Sequence, residues 1–301
     1  MSSSEPIRVA IQGELGSFSH AATLAILPCA EIVPCASAAQ VFAAVQGIKD
    51  LYGAVSDVAV IPIENSLAGS VIEFYDLLSR IGRSGDVRIL CEYMLRIRHN
   101  LIARPGTHMQ DVRQVLSHPI ALAQCRDFFN RNPHLQPVES YDTAGSVKRI
   151  MEQGNPGLAA IASKQAAEIY GGLILRGGIE DNPENYTRFL LLWFDNGLDR
   201  GPLPSERIPP AGAPNKMSLI LTLKNQPGAL VEVLRIFADL KMNLTKIESR
   251  PIQGRPWEYL FYVDVLFPAE AAADEALQRL RPQCETILDL GRYKAAEPPT
   301  A

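Results

Sequence analysis

The feature that most constrains this chain is a break in its pattern. Between residues 196 and 215, the runs Asn196-Gly197-Leu198-Asp199-Arg200-Gly201-Pro202-Leu203-Pro204 and Pro209-Pro210-Ala211-Gly212-Ala213-Pro214 crowd proline and glycine together. Neither helix nor strand persists through such a stretch, so it reads as a linker. A chain of 301 residues is long enough for two or three packed bodies. The linker separates residues 1–195 from residues 216–301, and the order of elements differs on its two sides.

Before the linker, apolar runs of strand length alternate with runs of helix length. Residues 7–12 read as a strand, followed by the glycine turn Gly13-Glu14-Leu15-Gly16-Ser17-Phe18-Ser19-His20 and an alanine-rich helix. A helix at 38–49 and a strand at 57–63 come next. The polar loop Glu64-Asn65-Ser66-Leu67-Ala68-Gly69-Ser70-Val71 then leads into a helix near 71–81. Extended segments at 87–98 and 100–103 read as a crossover into a second lobe, about 104–180. There a strand at 112–116 delivers Ser117-His118-Pro119 to a helix at 120–130, on which Gln124 can face a cleft. Asp142 or Thr143 suits the start of another helix, and 158–162 followed by 163–170 repeats the strand-to-helix unit. Such alternation predicts an α/β class with mainly parallel sheets and ligands at the C-terminal strand ends. After the linker the order is strand 217–223, helix 229–240, strand 244–249, strand 258–266, helix 269–280 and strand 286–293. That is a ferredoxin-like βαββαβ unit, small enough to pair with a second copy.

Composition narrows the function. The chain is 47% hydrophobic and 21% charged, with a net charge of -4, which speaks for a globular protein and against a nucleic-acid binder. No run approaches the 18 apolar residues of a membrane span, so no membrane association is expected. The N-terminus lacks a basic segment followed by an apolar one, which predicts a cytoplasmic protein. Cys29, Cys35, Cys91, Cys125 and Cys284 form no C-x-x-C pair, and the five histidines lack metal-ligand spacing. The expectation is reduced thiols, no metal and no cofactor.

One stretch carries chemistry. In Asp181-Asn182-Pro183-Glu184-Asn185-Tyr186-Thr187-Arg188-Phe189 a turn brakes the chain before the buried run Leu190-Leu191-Leu192-Trp193-Phe194. The junction displays a hydroxyl and a guanidinium from a strand end, a place to hold a small anion and move a proton. The alternative is an arginine in a structural ion pair.

Taken with Gln12-Gly13-Glu14, Pro62-Ile63-Glu64-Asn65-Ser66, Ser117-His118-Pro119 with Ala123-Gln124-Cys125, Pro227-Gly228-Ala229-Leu230, Lys246-Ile247-Glu248-Ser249-Arg250-Pro251 and the run from Pro256 to Asp264, this stretch resembles the bacterial prephenate dehydratases that end in an ACT regulatory domain. The match runs in order along nearly the whole chain. Leu15 departs from it, standing where the family often has proline. The resemblance implies two lobes like those of periplasmic binding proteins, with prephenate in the cleft between them. It implies loss of water and CO2 to give phenylpyruvate, with Thr187 at the leaving hydroxyl. Asn65, Ser117 and Gln124 join Thr187 as catalytic candidates. Ser66, Gly69, Ser70, Thr143, Arg188 and Phe189 are substrate-binding candidates, with Phe189 walling the ring. L-phenylalanine would bind the ACT part at Asn225, Pro227, Gly228, Ala229, Leu230, Glu248, Ser249, Arg250 and Pro251, between the subunits of a homodimer or homotetramer. Arogenate dehydratase, with Glu64 facing the substrate ammonium, and a silent amino-acid sensor are the competing readings.

Overall fold

The computed structural model describes residues 5–48, 55–81, 87–195 and 212–297. Most of the expected linker, residues 196–211, lies outside the described residues. By its contacts the chain divides into two units, one holding residues up to Val71 with Tyr93–Phe189, the other Ile72–Glu92 with Leu190–Pro298.

Along the first part of the chain, β1 (Arg8–Gln12) turns into α1 (Phe18–Ile26), where Ser17 caps the helix by accepting from the His20 N–H. β2 (Glu31–Cys35) follows, then α2 (Ala38–Gln46), capped by Ser37 and stopped by a left-handed Gly47. β3 (Val58–Asn65), β4 (Gly69–Ser70), α3 (Ile72–Ile81), β5 (Val87–Arg96) and β6 (Asn100–Ala103) come next. The second lobe continues with β7 (Gln114–Ser117), α4 (Pro119–Ala123), α5 (Arg126–Arg131), β8 (Gln136–Glu139), α6 (Thr143–Gln153), β9 (Leu158–Ala162), α7 (Lys164–Tyr170) and β10 (Leu173–Gly177). β11 (Tyr186–Phe194) then returns to the first sheet, whose order is β2-β1-β3-β11-β5 with β4 paired to β3.

The second sheet has the order β10-β6-β9-β7-β8. It is mixed rather than mainly parallel: β7 runs parallel to β8 and β9, whereas β6 is antiparallel to both β9 and β10. Helices cover both of its faces. On β9, Ala159 and Ile161 join the core with Leu122 and Phe128, while Ala160 and Ala162 join Val147 and Ile150 on the other face. The period of two thus puts every residue of Leu158-Ala159-Ala160-Ile161-Ala162 inside. Truncating Ile161 to alanine would cost ~2–5 kcal/mol through the lost contacts and the cavity left.

The expected single helix over 120–130 is two short pieces. Asp181 is the reason: its carboxylate accepts from the backbone N–H groups of Arg126 and Asp127 at 2.9 Å and caps α5 from outside. The N–H of Asp181 in turn reaches the carbonyl of Gln124 at 2.8 Å. A distant residue therefore supplies the groups that break and restart the helix.

The second unit carries β12 (Lys216–Leu223), α8 (Ala229–Asp239), β13 (Asn243–Pro251), β14 (Tyr259–Leu266), α9 (Glu270–Leu280) and β15 (Cys284–Tyr293), with sheet order β13-β14-β12-β15. The two helices pack on one face through Leu219, Leu221, Val233, Phe237, Ala273 and Leu280. The opposite face meets α3 and the first half of β5. The Tyr262 hydroxyl donates to the Tyr75 carbonyl, and their rings meet edge-on at 4.6 Å. Lys216 reaches both oxygens of the buried Glu92 carboxylate at 3.0 and 2.9 Å, and Glu92 also accepts from the Ala296 N–H. Those bonds offset the desolvation of an ion pair hidden from water. A segment that precedes the linker by more than a hundred residues thus completes the C-terminal body.

Candidate active site

The site is built around Asn65, the last residue of β3. Its side-chain oxygen accepts from the N–H groups of Leu67 and Ala68 at 3.0 and 2.8 Å, which folds the chain into a tight turn. Gly69 and Ser70 consequently pair back onto Asn65 and Glu64, and α3 starts only at Ile72. The two residues therefore sit in a small hairpin, and the helix expected near 71–81 follows it at Ile72. Gly69 has φ +81, and a Cβ there would meet nothing, so the position demands glycine for its backbone alone.

The amide nitrogen of Asn65 faces the first residues of β11. Its two hydrogens are shared among Asn185 Oδ1 at 2.8 Å, Thr187 Oγ1 at 3.0 Å and the Tyr186 carbonyl at 3.1 Å. Gln124, from the second lobe, completes the group. Its nitrogen approaches Asn65 Oδ1 at 3.4 Å, and its oxygen accepts from Asn185 Nδ2 at 2.9 Å. Thr187, Asn65 and Gln124, named apart along the sequence, are thus brought into one hydrogen-bonded cluster. Because Thr187 Oγ1 accepts from Asn65, the hydroxyl keeps its own proton to donate.

Other candidates take other places. Ser66 stitches the turn to β11, accepting from the Tyr186 N–H at 3.0 Å and donating to the Glu184 carbonyl at 3.1 Å. Ser117 is fully buried and its hydroxyl donates to the Ile161 carbonyl at 2.7 Å. Thr143 opens α6 behind its N-cap Asp142, whose carboxylate accepts from Gly145 N at 2.8 Å. Burial raises the pKa of Asp142, and its backbone hydrogen bonds oppose that shift. Phe189 is buried on the same side of β11 as Thr187, and Arg188 points the other way, as strand alternation dictates. Arg188 Nε lies 3.6 Å from Glu64 Oε2. His118 caps α4 by accepting from Ile120 N, and His20 accepts from Gly16 N at 2.9 Å, so both rings serve helix starts.

Two members of the cluster carried no role in the sequence reading. Asn185 had a signal, since it lies two residues before Thr187, just ahead of the same strand. His99 had none. It is 2% exposed, its Nε2 lies 2.9 Å from Gln124 Oε1, and burial lowers its pKa against the opposing effects of Gln124 and Glu180.

In the C-terminal body, Asn225, Pro227 and Gly228 form an exposed turn before α8, with Ala229 and Leu230 half-buried behind it. Gly228 has φ +84. β12 and β13 are both antiparallel to β14, so that turn and Ser249-Arg250-Pro251 leave the same end of the sheet. Glu248 and Arg250 point to the face covered by α3. There Arg250 holds the Asp76 carboxylate with two bonds, 2.9 and 3.0 Å.

The family model for prephenate dehydratase matches residues 9–196. The chain belongs to the prephenate dehydratase family. The ACT domain model matches residues 217–281. The chain is 38% identical to "Arogenate dehydratase/prephenate dehydratase 2, chloroplastic" of Arabidopsis thaliana, over 97% of this chain and 74% of that one. A solved prephenate dehydratase of Arthrobacter aurescens in complex with L-Phe superposes with a TM-score of 0.82 at 29% identity, covering 98% of this chain and 92% of the other. GqqA, described as a quorum quenching acylase, superposes with a TM-score of 0.78 at 32% identity, over 96% and 98% of the two chains. In prephenate dehydratase terms, the Asn65 turn, the start of β11 and Gln124 lie within the segment that the dehydratase model matches.

Proposed function

We propose that this chain converts prephenate to phenylpyruvate, water and CO2, and that L-phenylalanine regulates it through the C-terminal body. The observation that carries the reading is the Thr187 hydroxyl held by Asn65 at 3.0 Å within a family-matched segment. In the reaction the bond from the ring to its carboxylate breaks, and that electron pair completes the aromatic ring. The C–O bond at C4 breaks with its pair, and the departing oxygen takes up one proton to leave as water. Thr187 donates the hydrogen bond through which that proton arrives. Its role is to relay, because an aliphatic hydroxyl is too weak an acid to be the source. The ring carboxylate loses its charge on the way to CO2, so a cation clamped on it would stabilise the ground state and slow the step. Phe189, apolar and on the Thr187 side of the strand, suits that wall. Asn65 and Gln124 orient the hydroxyl, and Ser66, Gly69, Ser70 and Thr143 frame the substrate.

Glu64 favours prephenate over arogenate. An arogenate ammonium calls for an unencumbered acid in the site, and Glu64 sits against the Arg188 guanidinium. For the effector, the exposed 225–228 turn offers backbone N–H groups to an amino-acid carboxylate, and a second copy of the chain closes over it. An assay of the purified protein on prephenate and arogenate tests these points. Phenylpyruvate formation from prephenate, inhibited by L-phenylalanine, is the expected result. No turnover of either substrate would overturn the dehydratase reading, and a preference for arogenate would overturn the argument from Glu64.

A further inference from the structure

The orientation of every amide in the Thr187 cluster follows from groups whose identity is unambiguous. The backbone N–H groups of Leu67 and Ala68 point at Asn65, so the atom they meet is its oxygen. The Asn65 nitrogen then faces the Tyr186 carbonyl, Asn185 Oδ1 and Thr187 Oγ1. Asn185 consequently turns its nitrogen to Gln124, which makes the receiving atom the Gln124 oxygen, 2.9 Å away. The same oxygen faces His99 Nε2, also at 2.9 Å. Two acceptors cannot share that contact, so His99 carries its proton on Nε2. Nδ1 is then bare, and among the described residues it is a buried nitrogen with no hydrogen-bond partner.

His99 is also unusually well fixed. It lies in the crossover between the two lobes, its N–H bonded to Glu180 Oε2 at 2.9 Å and its carbonyl to Ile179 N at 3.0 Å. The ring packs edge-on against Phe18, with centroids 5.6 Å apart. The neighbouring crossover residue Ile97 bonds to the carbonyl of Asn185 at 2.7 Å. A rigid N–H donor is thus delivered from the crossover to the one cluster residue contributed by the second lobe.

We propose that His99 is a positioning residue for the dehydratase reaction: its Nε2–H holds the Gln124 carboxamide in the orientation that aligns Asn65 and, through it, the Thr187 hydroxyl. This inference rests on the dehydratase reading above. His99 touches neither Thr187 nor substrate, so its effect falls on how the hydroxyl is presented and not on how tightly the substrate is held.

The test is a set of three variants, His99→Leu, His99→Gln and His99→Asn, assayed on prephenate with thermal unfolding followed in parallel. A glutamine places an amide N–H near the position of Nε2, while asparagine falls short and leucine has no donor. Loss of an orienting partner typically lowers activity ~10–100-fold. His99→Leu and His99→Asn should lose that much kcat with KM changed less than about threefold, and His99→Gln should recover most of it. In a Gln124→Ala background, His99→Leu should cost nothing further, since the group it orients is gone. Wild-type kcat in His99→Leu overturns the proposal. So does multiplication of the two effects in the double variant, or a His99→Gln as slow as His99→Leu. If His99→Leu is too unstable to assay, the comparison of His99→Gln with His99→Asn, each measured equally far below its own Tm, decides the matter. A wild-type protein inactive on prephenate would sink the dehydratase reading itself, a separate outcome.

Discussion

Thr187 and Gly16 show how much rests on single positions. Replacing Thr187 by alanine removes one transition-state hydrogen bond, which typically costs ~10²–10³ in kcat. Serine keeps the hydroxyl and should restore most of the rate, so steady-state kinetics on the two variants checks whether the oxygen or the methyl matters. Gly16 is constrained twice. Its φ is +86, and a Cβ built there would stand 2.7 Å from the Cα of Ala166 in the second lobe. Its carbonyl also accepts from Ser163 Oγ at 2.6 Å. Gly16→Ala therefore pays ~1–2 kcal/mol in backbone conformation and must also push the two lobes apart at this point. The expected outcome is a lower Tm together with a reduced kcat, measured on the same preparation. If both stay at wild-type values, the close approach is not a constraint.

At the scale of elements, α3 belongs with the C-terminal body although the chain reaches it directly from the dehydratase segment. It follows directly on the Asn65 turn, and it lies against the C-terminal sheet through Tyr75 and Asp76. The Asp76–Arg250 pair is partly exposed, with side chains 37% and 26% accessible, so it adds about 1 kcal/mol or less to stability. Its use is geometric: a forked, two-bond contact sets where α3 sits relative to Arg250. Asp76→Ala should leave Tm within a few degrees and raise the L-phenylalanine concentration needed for half-inhibition several-fold. Unchanged inhibition would mean that the signal does not pass through this pair. Gly228→Val is the companion test at the effector turn. A Cβ there has nothing within 4 Å, so beyond the strain of φ +84 the expected loss of inhibition reports an obstructed ligand.

For the whole molecule, two buried histidines contribute a loss of stability on the acid side. Burial lowers the pKa of His20 and of His99 below the 6.5 of a free imidazole. As pH falls through 6.5 the unfolded chain takes up protons that the folded chain refuses. The unfolded state then binds more protons, and stability declines from there down to the folded pKa values, where the loss levels off. Above 6.5 these two groups contribute no slope. Tm measured between pH 8 and pH 5 should be flat and then fall, and the His99→Gln variant should fall less steeply. The second unit also explains why point variants serve better than truncation for separating regulation from catalysis. Removing residues 212–297 would strip Glu92 of Lys216 and uncover Tyr75, so a shortened chain loses stability along with its effector site.

The alternation of strands and helices before the linker, the βαββαβ arrangement after it and the cap at Asp142 were legible in the sequence. These depend on periodicity and on contacts within a few residues, which a linear reading captures. It also singled out Thr187, Asn65 and Gln124, though as separate points. Only the tertiary structure decided that the three meet, because their bonds span 59 to 122 positions of chain. It decided that Asp181 splits a helix, that Asn65 turns Gly69 and Ser70 into a hairpin, and that His99 belongs to the cluster. The Asn65 turn rests on bonds to Leu67 and Ala68 only two and three residues on, but Asp181 and His99 are side chains satisfying backbone or amide groups far from them in sequence. Local propensity has no term for such a partner; burial makes those hydrogen bonds obligatory, and the fold alone says which groups are near enough to make them.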